Sequence, residues 1–428
     1  MHVMQDLGLR QRMDDARQRS DELFELVKPE ALYERPIPER NRIIFYLGHL
    51  EAFDWNLLRE RLGVASFHPE FDRLFAFGID PVGGGLPADQ PADWPAEAEV
   101  REYVERIRTE IDGDFEKSFE HSGAERLLNV AIEHRLMHTE TLAYMLHQMA
   151  FERKSYRAEA HPTAEIVRPA LIQIPYGSAT LGLARQDGIF GWDNEFEEWI
   201  ADVPGFAIDK YKVTNGQFLE FTEAGGYEDR GLWTDDNWNW KSAERISHPV
   251  FWKRAGDQWF YRTMFEEVPL PFDWPAHVSH AEASAYARWA GKLLPTEEQW
   301  HRAAYGTPEG EDRLYPWGQD EPSTQGNFGF QRWSPVPVSA HPEGESAFGV
   351  ADLIGNGWEW TSSLFAPFPG FEPFPFYKGY SADFFDSKHY VMKGGSPRTA
   401  ACMLRRSFRN WFQPHYPYVY AGFRCVSH

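Results

Sequence analysis

The chain has 428 residues, with 43 basic and 65 acidic side chains and a formal net charge of −22 at pH 7. This length exceeds what one typical hydrophobic core supports, so it predicts two domains. The negative charge is distributed along the sequence, which argues against nucleic acid or an anionic membrane as a partner.

The cysteine content and the first residues bear on the compartment. The chain has two cysteines, Cys402 and Cys425, which are too few for a disulfide framework and favour a reducing cytoplasm. Residues 1–19 are rich in charge and contain no apolar core of a signal peptide. No apolar run reaches the roughly 18 residues that a membrane-spanning helix requires. We therefore expect a cytoplasmic protein without a membrane partner. The sequence leaves the oligomeric state open, with a homo-oligomer among the options.

Residues 1–155 carry helical patterns, because apolar residues recur there at a spacing close to 3.6. The predicted helices are 4–27, 42–62, 96–112 and 124–151. The segment 69–95 is rich in Pro and Gly, and we predict that it forms a long loop over one end of the helices. Four helices with one long connection predict a four-helix bundle over residues 1–155.

Histidines on two of these helices are candidate metal ligands. His134 and His138 are four residues apart, so they lie on one helix face, about 40° from each other around the axis. That face is apolar, and paired imidazoles on it can reach one metal ion. His49 lies on the apolar side of the second predicted helix and is the natural third ligand. Because this spacing also arises by chance, core histidines bonded to the backbone remain the alternative.

Residues 166–428 differ in character from the preceding part. They contain most of the 17 Trp and 32 Phe residues, and their short apolar stretches are separated by frequent turns. We predict strands at 171–175, 206–209 and 390–394. We predict two helices, one that begins at Asn215 as a candidate N-cap and one over 280–289. This change in pattern predicts a second domain over residues 166–428.

This part contains ordered motifs at 278–283, 287–289, 294–300, 315–318, 355–362, 394–396 and 421–424. Together they resemble the formylglycine-generating-enzyme-like (sulfatase-modifying-factor) domain. The resemblance implies a C-type-lectin-like core with little regular structure. Leu47-Gly48-His49 and His134-x3-His138-x-Glu140 resemble a DinB-like bundle, and the two domains together resemble the ergothioneine-biosynthetic sulfoxide synthases. The expected fold class is therefore α+β.

This resemblance implies a reaction and a cofactor. Members of the family are non-heme, Fe(II)- and dioxygen-dependent enzymes that join a cysteine thiol to carbon 2 of the hercynine imidazole. Hercynine, cysteine and dioxygen are thus the implied partners. His49, His134 and His138 match the iron ligands. Three neutral imidazoles leave three positions of an octahedral Fe(II) open for substrates.

The resemblance also assigns roles in the second domain. Tyr377 matches the catalytic tyrosine, whose phenol can supply a proton. Tyr380, Asn410 and Trp411 match hercynine contacts. Asn410 would bond the hercynine carboxylate, and Trp411 would offer its ring face to the trimethylammonium group. Packing within an aromatic-rich region is the alternative for Tyr377 and Trp411.

The sulfur donor is where this sequence departs from the family pattern. Phe412 and Tyr416 stand where some members use Asp and Arg to bind γ-glutamylcysteine, and neither can form a salt bridge. We therefore expect free cysteine, or another thiol, as the donor. A selenoneine synthase that uses a selenosugar and an ovothiol-type enzyme that joins sulfur to carbon 5 remain alternatives.

Two rival classes are disfavoured. A formylglycine-generating enzyme needs paired cysteines after the Gly-Gly-Ser motif, and here only Cys402 lies in that stretch. A non-enzymatic lectin-like binding module would leave the histidines of the first domain without a role.

Overall fold

The computed structural model describes residues 2–76, 86–115 and 123–427. The chain divides into two compact units, Met1–Arg157 and Ala158–His428. The first unit is helical and the second combines short strands with helices, which confirms the predicted α+β class. Within the described residues, no helix is long and apolar enough to cross a membrane.

The first unit is a bundle of long helices with one short helix between the second and third of them. Its helices are α1 (His2–Phe24), α2 (Ile43–Leu62), α3 (Pro69–Leu74), α4 (Glu97–Gly113) and α5 (Ala124–Gln148). α5 is buried along almost its whole length and packs against α1 and α2, while α2 also packs against α4. α2 and α5, which carry the candidate histidines, therefore face each other.

The prediction of a loop over 69–95 was wrong for its first part, which forms α3. Nδ1 of His68 caps this helix by accepting a hydrogen bond from the Phe71 amide at 3.2 Å. Pro69 occupies the first turn, where a proline needs no hydrogen-bond partner for its nitrogen. A proline at this position was therefore compatible with a helix. Residues 77–85 of the predicted loop lie outside the described residues.

The second unit consists of small sheets connected by helices and long loops. Its strands are β1 (Leu171–Ile174), β2 (Gly177–Leu181), β3 (Trp199–Val203), β4 (Phe206–Asp209), β5 (Trp252–Ala255), β6 (Gln258–Arg262), β7 (Glu267–Pro269), β8 (Trp358–Leu364), β9 (Tyr390–Lys393), β10 (Asn410–Phe412), β11 (Ala421–Gly422) and β12 (Val426–Ser427). The strand orders are β1-β4-β12, β10-β9-β8-β11, β2-β3 and β5-β6-β7. Its helices are α6 (Asn215–Glu223), α7 (Asp235–Ala243), α8 (His280–Trp289), α9 (Glu297–Tyr305) and α10 (Gly379–Ala382).

The helices of this unit differ from the predicted ones in two ways. The N-cap of α6 is Thr214 rather than Asn215, because the Thr214 hydroxyl accepts from the Gln217 amide at 3.3 Å and Gln217 Oε1 accepts from the Thr214 amide at 2.9 Å. α7, α9 and α10 were not predicted. α9 has only nine residues and buries polar side chains such as Glu297, His301 and Arg302, which a sequence pattern does not mark as core.

β10 carries three of the predicted substrate residues and lies at the edge of its sheet. It pairs antiparallel with β9, with Asn410 opposite Met392 and Phe412 opposite Tyr390. Since side chains alternate along a strand, Asn410 and Phe412 project to one face and Trp411 to the other. The main core of the unit is formed by α9 packed on β2 and β3, with Trp300 fully buried at its centre.

Candidate metal centre and aromatic cluster

Three buried histidines of the helical unit converge on one point. Nε2 of His138 lies 3.1 Å from Nε2 of His134 and 3.3 Å from Nε2 of His49. The three side chains are between 2% and 6% exposed. Candidate ligand atoms of all three lie within 4.8 Å of one another. The structure thus brings together His49 of α2 and the histidine pair of α5.

The chemistry of this donor set fits a metal ion. Burial lowers the pKa of His49 to about 4 and lowers the pKa values of His134 and His138 well below 6.5. All three imidazoles are therefore neutral at pH 7 and present lone pairs, which is the form that binds transition metals. Among the described residues, this is the group of His, Cys, Asp or Glu side chains that could jointly hold a metal ion.

The orientation of His49 is fixed from its other ring nitrogen. Nδ1 of His49 donates to the carbonyl oxygen of Phe75, at 2.6 Å, so Nε2 carries the lone pair that points into the cluster. Phe75 directly follows α3 and packs closely over Gly48, where a Cβ atom would lie 2.6 Å from its ring. Sequence reasoning missed this contact, since a backbone carbonyl has no residue signature.

Aromatic rings one helical turn from His49 cover the imidazoles. Phe45 stacks on His49 with ring centroids 4.8 Å apart, and Phe53 stacks on His134 at 3.5 Å. Tyr46 lies beside His138, at 5.9 Å. These contacts restrict the imidazole rotamers and keep the surroundings of the cluster apolar. The i, i+4 spacing of Phe45, His49 and Phe53 explains why one face of α2 supplies both the ligand and its cover.

A buried network of charges links the same two helices beside the histidines. Nη2 of Arg135 in α5 lies 2.9 Å from Glu51 Oε2 and 2.5 Å from Asp54 Oδ2, both in α2. Arg108 of α4 also contacts Glu51, at 2.7 Å. Burial would raise the pKa of the Glu51 carboxyl, but the charges of Arg135 and Arg108 lower it to about 2. The network therefore fixes how α2 faces α5.

Replacing Arg135 with methionine is expected to destabilise the protein by about 3–5 kcal/mol, because it leaves the Glu51 and Asp54 carboxylates buried without their shared partner. Urea unfolding would measure this change. The control is Arg126→Met on the exposed side of the same helix, for which a change within about 0.5 kcal/mol is expected. Equal stability of the Arg135→Met variant and the unaltered protein would contradict this interpretation.

The predicted substrate residues of the second unit form two groups. In the first group, the rings of Tyr377 and Tyr380 lie 5.4 Å apart, and Tyr380 meets Trp411 edge to face at 5.5 Å. Trp411 also stacks on Phe365, at 4.1 Å. The structure therefore brings Tyr377, Tyr380 and Trp411 into one aromatic cluster. Asn410 lies next to it in β10, and its Oδ1 accepts a hydrogen bond from the Trp411 amide at 2.9 Å.

The second group consists of Phe412 and Tyr416. Their rings stack nearly parallel, 5.2 Å apart with an angle of 13° between the planes. Tyr416 also meets Tyr418 edge to face at 5.2 Å. These two side chains thus form an aromatic pair, with Phe412 on the side of β10 opposite to Trp411.

Comparison with known families identifies both units. Residues 12–152 match the DinB superfamily, and residues 156–428 match the sulfatase-modifying factor enzyme 1-like domain. The fold and the histidine cluster thus define a two-domain protein in which a DinB-type bundle with a candidate metal centre precedes a sulfatase-modifying-factor-like domain.

Individual curated proteins of similar sequence show which family within this class the chain belongs to. The chain is 33% identical over 431 residues to the hercynine oxygenase of Mycolicibacterium smegmatis, an alignment that covers 96% of each protein. It is 41% identical over 250 residues to that of Mycobacterium tuberculosis, covering 58% of each. It is 28% identical over 496 residues to ergothioneine biosynthesis protein 1 of Neurospora crassa, covering 94% of this chain and 55% of the relative. The alignments with the latter two relatives cover less than two thirds of the relatives' lengths. Because the alignment with the Mycolicibacterium smegmatis protein covers nearly all of both chains, the chain belongs to the hercynine oxygenase family.

Proposed function

We propose that this protein is a non-heme Fe(II)- and dioxygen-dependent sulfoxide synthase that joins the sulfur of cysteine to carbon 2 of the hercynine imidazole. One observation carries the proposal: three neutral, buried histidines converge in a chain that aligns over 96% of its length with a hercynine oxygenase. In that arrangement His49, His134 and His138 would hold the iron. When bound, iron would supply the redox chemistry of the reaction.

The residues of the aromatic cluster would bind and orient hercynine. Trp411 offers a ring face suited to a trimethylammonium group, and the Asn410 amide can bond a carboxylate. Tyr380 would complete the contact surface beside Trp411. Tyr377 would hold a proton at its phenol oxygen and release it during the reaction.

The choice of hercynine as acceptor and of carbon 2 as its reacting atom rests on the relatives, which carry the names hercynine oxygenase and ergothioneine biosynthesis protein. No specific feature of the described residues favours a selenosugar donor or carbon-5 chemistry over this proposal. Aerobic turnover with Fe(II), hercynine and either cysteine, γ-glutamylcysteine or a selenosugar, followed by mass spectrometry, tests it. A hercynine–cysteine sulfoxide is the expected product, and no product from any donor would overturn the proposal.

Cysteine is expected to be preferred over γ-glutamylcysteine by at least about tenfold in kcat/KM. The dipeptide carries an additional carboxylate and amide, and burying such groups without partners costs several kcal/mol as an order of magnitude. At the positions where some family members carry Asp and Arg, Phe412 and Tyr416 stack on each other instead. Competition kinetics with both thiols present would measure the preference.

A double variant provides a second test of the preference between the two thiols. Phe412→Asp combined with Tyr416→Arg provides the missing charges and is expected to shift the preference towards γ-glutamylcysteine, whereas Tyr418→Phe should leave it unchanged. Equal use of both thiols by the unaltered protein would refute the prediction.

A further inference from the structure

A short turn in the second unit contacts two later segments of the chain, 374–381 and 405–411, that carry the proposed catalytic and substrate residues. The turn comprises Trp192 and the 3-10 helix Asp193–Glu195. All four of its side chains are at most 1% exposed. Two of the four are carboxylates, which are costly to bury unless they have specific partners.

The Asp193 carboxylate accepts hydrogen bonds from both ends of the loop that carries Tyr377 and Tyr380. Its Oδ2 accepts a hydrogen bond from the Phe374 amide, at 3.5 Å, and its Oδ1 accepts one from the Ser381 hydroxyl. Phe374 precedes the two tyrosines and Ser381 follows them. One carboxylate thus holds both ends of the segment 374–381 and limits how far either tyrosine can move.

The neighbours of Asp193 reinforce this contact from both sides. Nδ2 of Asn194 donates to the Ser381 hydroxyl oxygen at 3.1 Å. The indole of Trp192 stacks on the Tyr380 ring, with centroids 4.0 Å apart and planes 27° from parallel. The turn therefore fixes the backbone of the loop through Ser381 and one of its two tyrosine rings directly.

The other end of the turn is bound to the segment that leads into β10. Glu195 accepts hydrogen bonds from Arg405, at 2.5 and 2.8 Å, and from the Ser407 hydroxyl at 2.6 Å. Nη1 of Arg409 donates to the Asn194 carbonyl oxygen at 3.4 Å. Arg409 immediately precedes Asn410 and Trp411. The turn is thus the common support of the loop with the tyrosines and of the strand with Trp411.

We propose that Asp193 is a positioning residue that holds Tyr377 and Tyr380 against Trp411, with Trp192, Asn194 and Ser381 as its partners. This inference rests on the proposed function, which assigns Tyr377, Tyr380 and Trp411 to the hercynine site. Loss of the carboxylate would free both ends of the loop. Hercynine binding and proton delivery would then weaken together, while the metal ligands, which lie in the other unit, would be unaffected.

The test compares Asp193→Ala, Asp193→Asn and Ser381→Ala with Glu372→Ala, an exposed carboxylate of the same region that serves as the control. For Asp193→Ala we expect the KM for hercynine to rise about tenfold and kcat to fall, while the KM for cysteine stays within about twofold. Asp193→Asn keeps an acceptor for the Phe374 amide and a polar partner for Ser381, so it should restore the KM for hercynine to within about threefold. Ser381→Ala should have a smaller effect on Asp193→Ala than on the unaltered protein, because the two residues share one hydrogen bond.

Two measurements are independent of turnover. Hydrogen–deuterium exchange of the peptide covering 374–381 should accelerate in Asp193→Ala and Ser381→Ala but not in Glu372→Ala, and iron content should be the same in all variants. A thermal melt shows whether each variant is folded. If Asp193→Ala does not fold, the exchange and kinetics of Asp193→Asn and Ser381→Ala test the inference in its place.

The outcomes separate this inference from the proposed function. If the unaltered protein makes the sulfoxide and Asp193→Ala leaves both the KM for hercynine and the exchange of 374–381 unchanged, the inference is wrong and the function stands. If exchange accelerates as expected but the unaltered protein neither binds nor converts hercynine, Asp193 does restrain the segment 374–381, but the proposed function is wrong. The role assigned to Asp193 in hercynine binding is then wrong as well.

Discussion

Replacement of His138 by alanine is expected to abolish stoichiometric iron binding and, with it, sulfoxide synthesis, while the protein remains folded. Nε2 of His138 lies between those of His49 and His134, at 3.3 and 3.1 Å. Without it, two imidazoles would remain on facing helices, and two ligands hold a metal ion far more weakly than three. The charge network of α2 and α5 is formed by the side chains of Arg135, Glu51 and Asp54, so removal of the imidazole leaves these contacts in place.

Metal analysis of the purified variant, together with a thermal melt, would measure both effects. The matched control is His147→Ala, which removes another buried histidine of the same helix that is not part of the cluster. The control should retain about one iron per chain even if its stability decreases. Full iron content in His138→Ala, or equal loss in both variants, would show that the three histidines are not the ligand set.

The pH dependence of metal binding gives an independent check. Burial lowers the pKa of His49 to about 4, and it also places the pKa values of His134 and His138 well below 6.5. A lowered pKa means that the neutral, metal-binding form persists as the pH falls. Iron content should therefore stay constant from about pH 8 to about pH 5 and decline only when protons compete below that range. A loss centred near pH 6.5 would indicate solvent-exposed histidines instead.

Much of the candidate metal centre could be predicted from the sequence because helical geometry is regular. A spacing of four residues on an apolar face placed His134 beside His138, and the same reasoning placed His49 on the buried side of α2. The Phe75 carbonyl could not be predicted in this way. It reaches His49 only because α3 forms where Pro69 suggested a loop, and because Gly48 allows the Phe75 ring to approach.

The second unit was predictable mainly through its motifs, and its long-range contacts were not. β1, β4 and β9 showed strand patterns, whereas α9 is a short helix whose buried residues include the polar Glu297, His301 and Arg302, which the sequence pattern does not mark as core. The contact between Asp193 and Ser381 joins residues that are 188 positions apart. No local propensity encodes such a pair, since the loops between them determine whether they meet. Sequence reasoning therefore found the candidate tyrosines but not the turn that holds them.

Replacement of Tyr377 by phenylalanine is expected to lower kcat for the sulfoxide by about a hundredfold with little change in the KM for hercynine. The variant removes only the phenol oxygen and keeps the ring that packs 5.4 Å from Tyr380. If Tyr377 supplies a proton, the loss belongs to the chemical step, and substrate binding is preserved. Iron content should also be unchanged, because none of the proposed ligands is altered.

The neighbouring tyrosine provides the contrast that makes this result specific. Tyr380 is assigned to hercynine binding, and Tyr380→Phe removes its hydroxyl but keeps the ring that stacks on Trp192, so the KM for hercynine should rise while kcat stays within about threefold. Steady-state kinetics with both variants, quantified by mass spectrometry of the sulfoxide, would separate the two roles. A kcat for Tyr377→Phe equal to that of the unaltered protein would show that its hydroxyl holds no proton needed for the reaction. The proton would then have to come from another group, and Tyr377 would contribute through its ring alone.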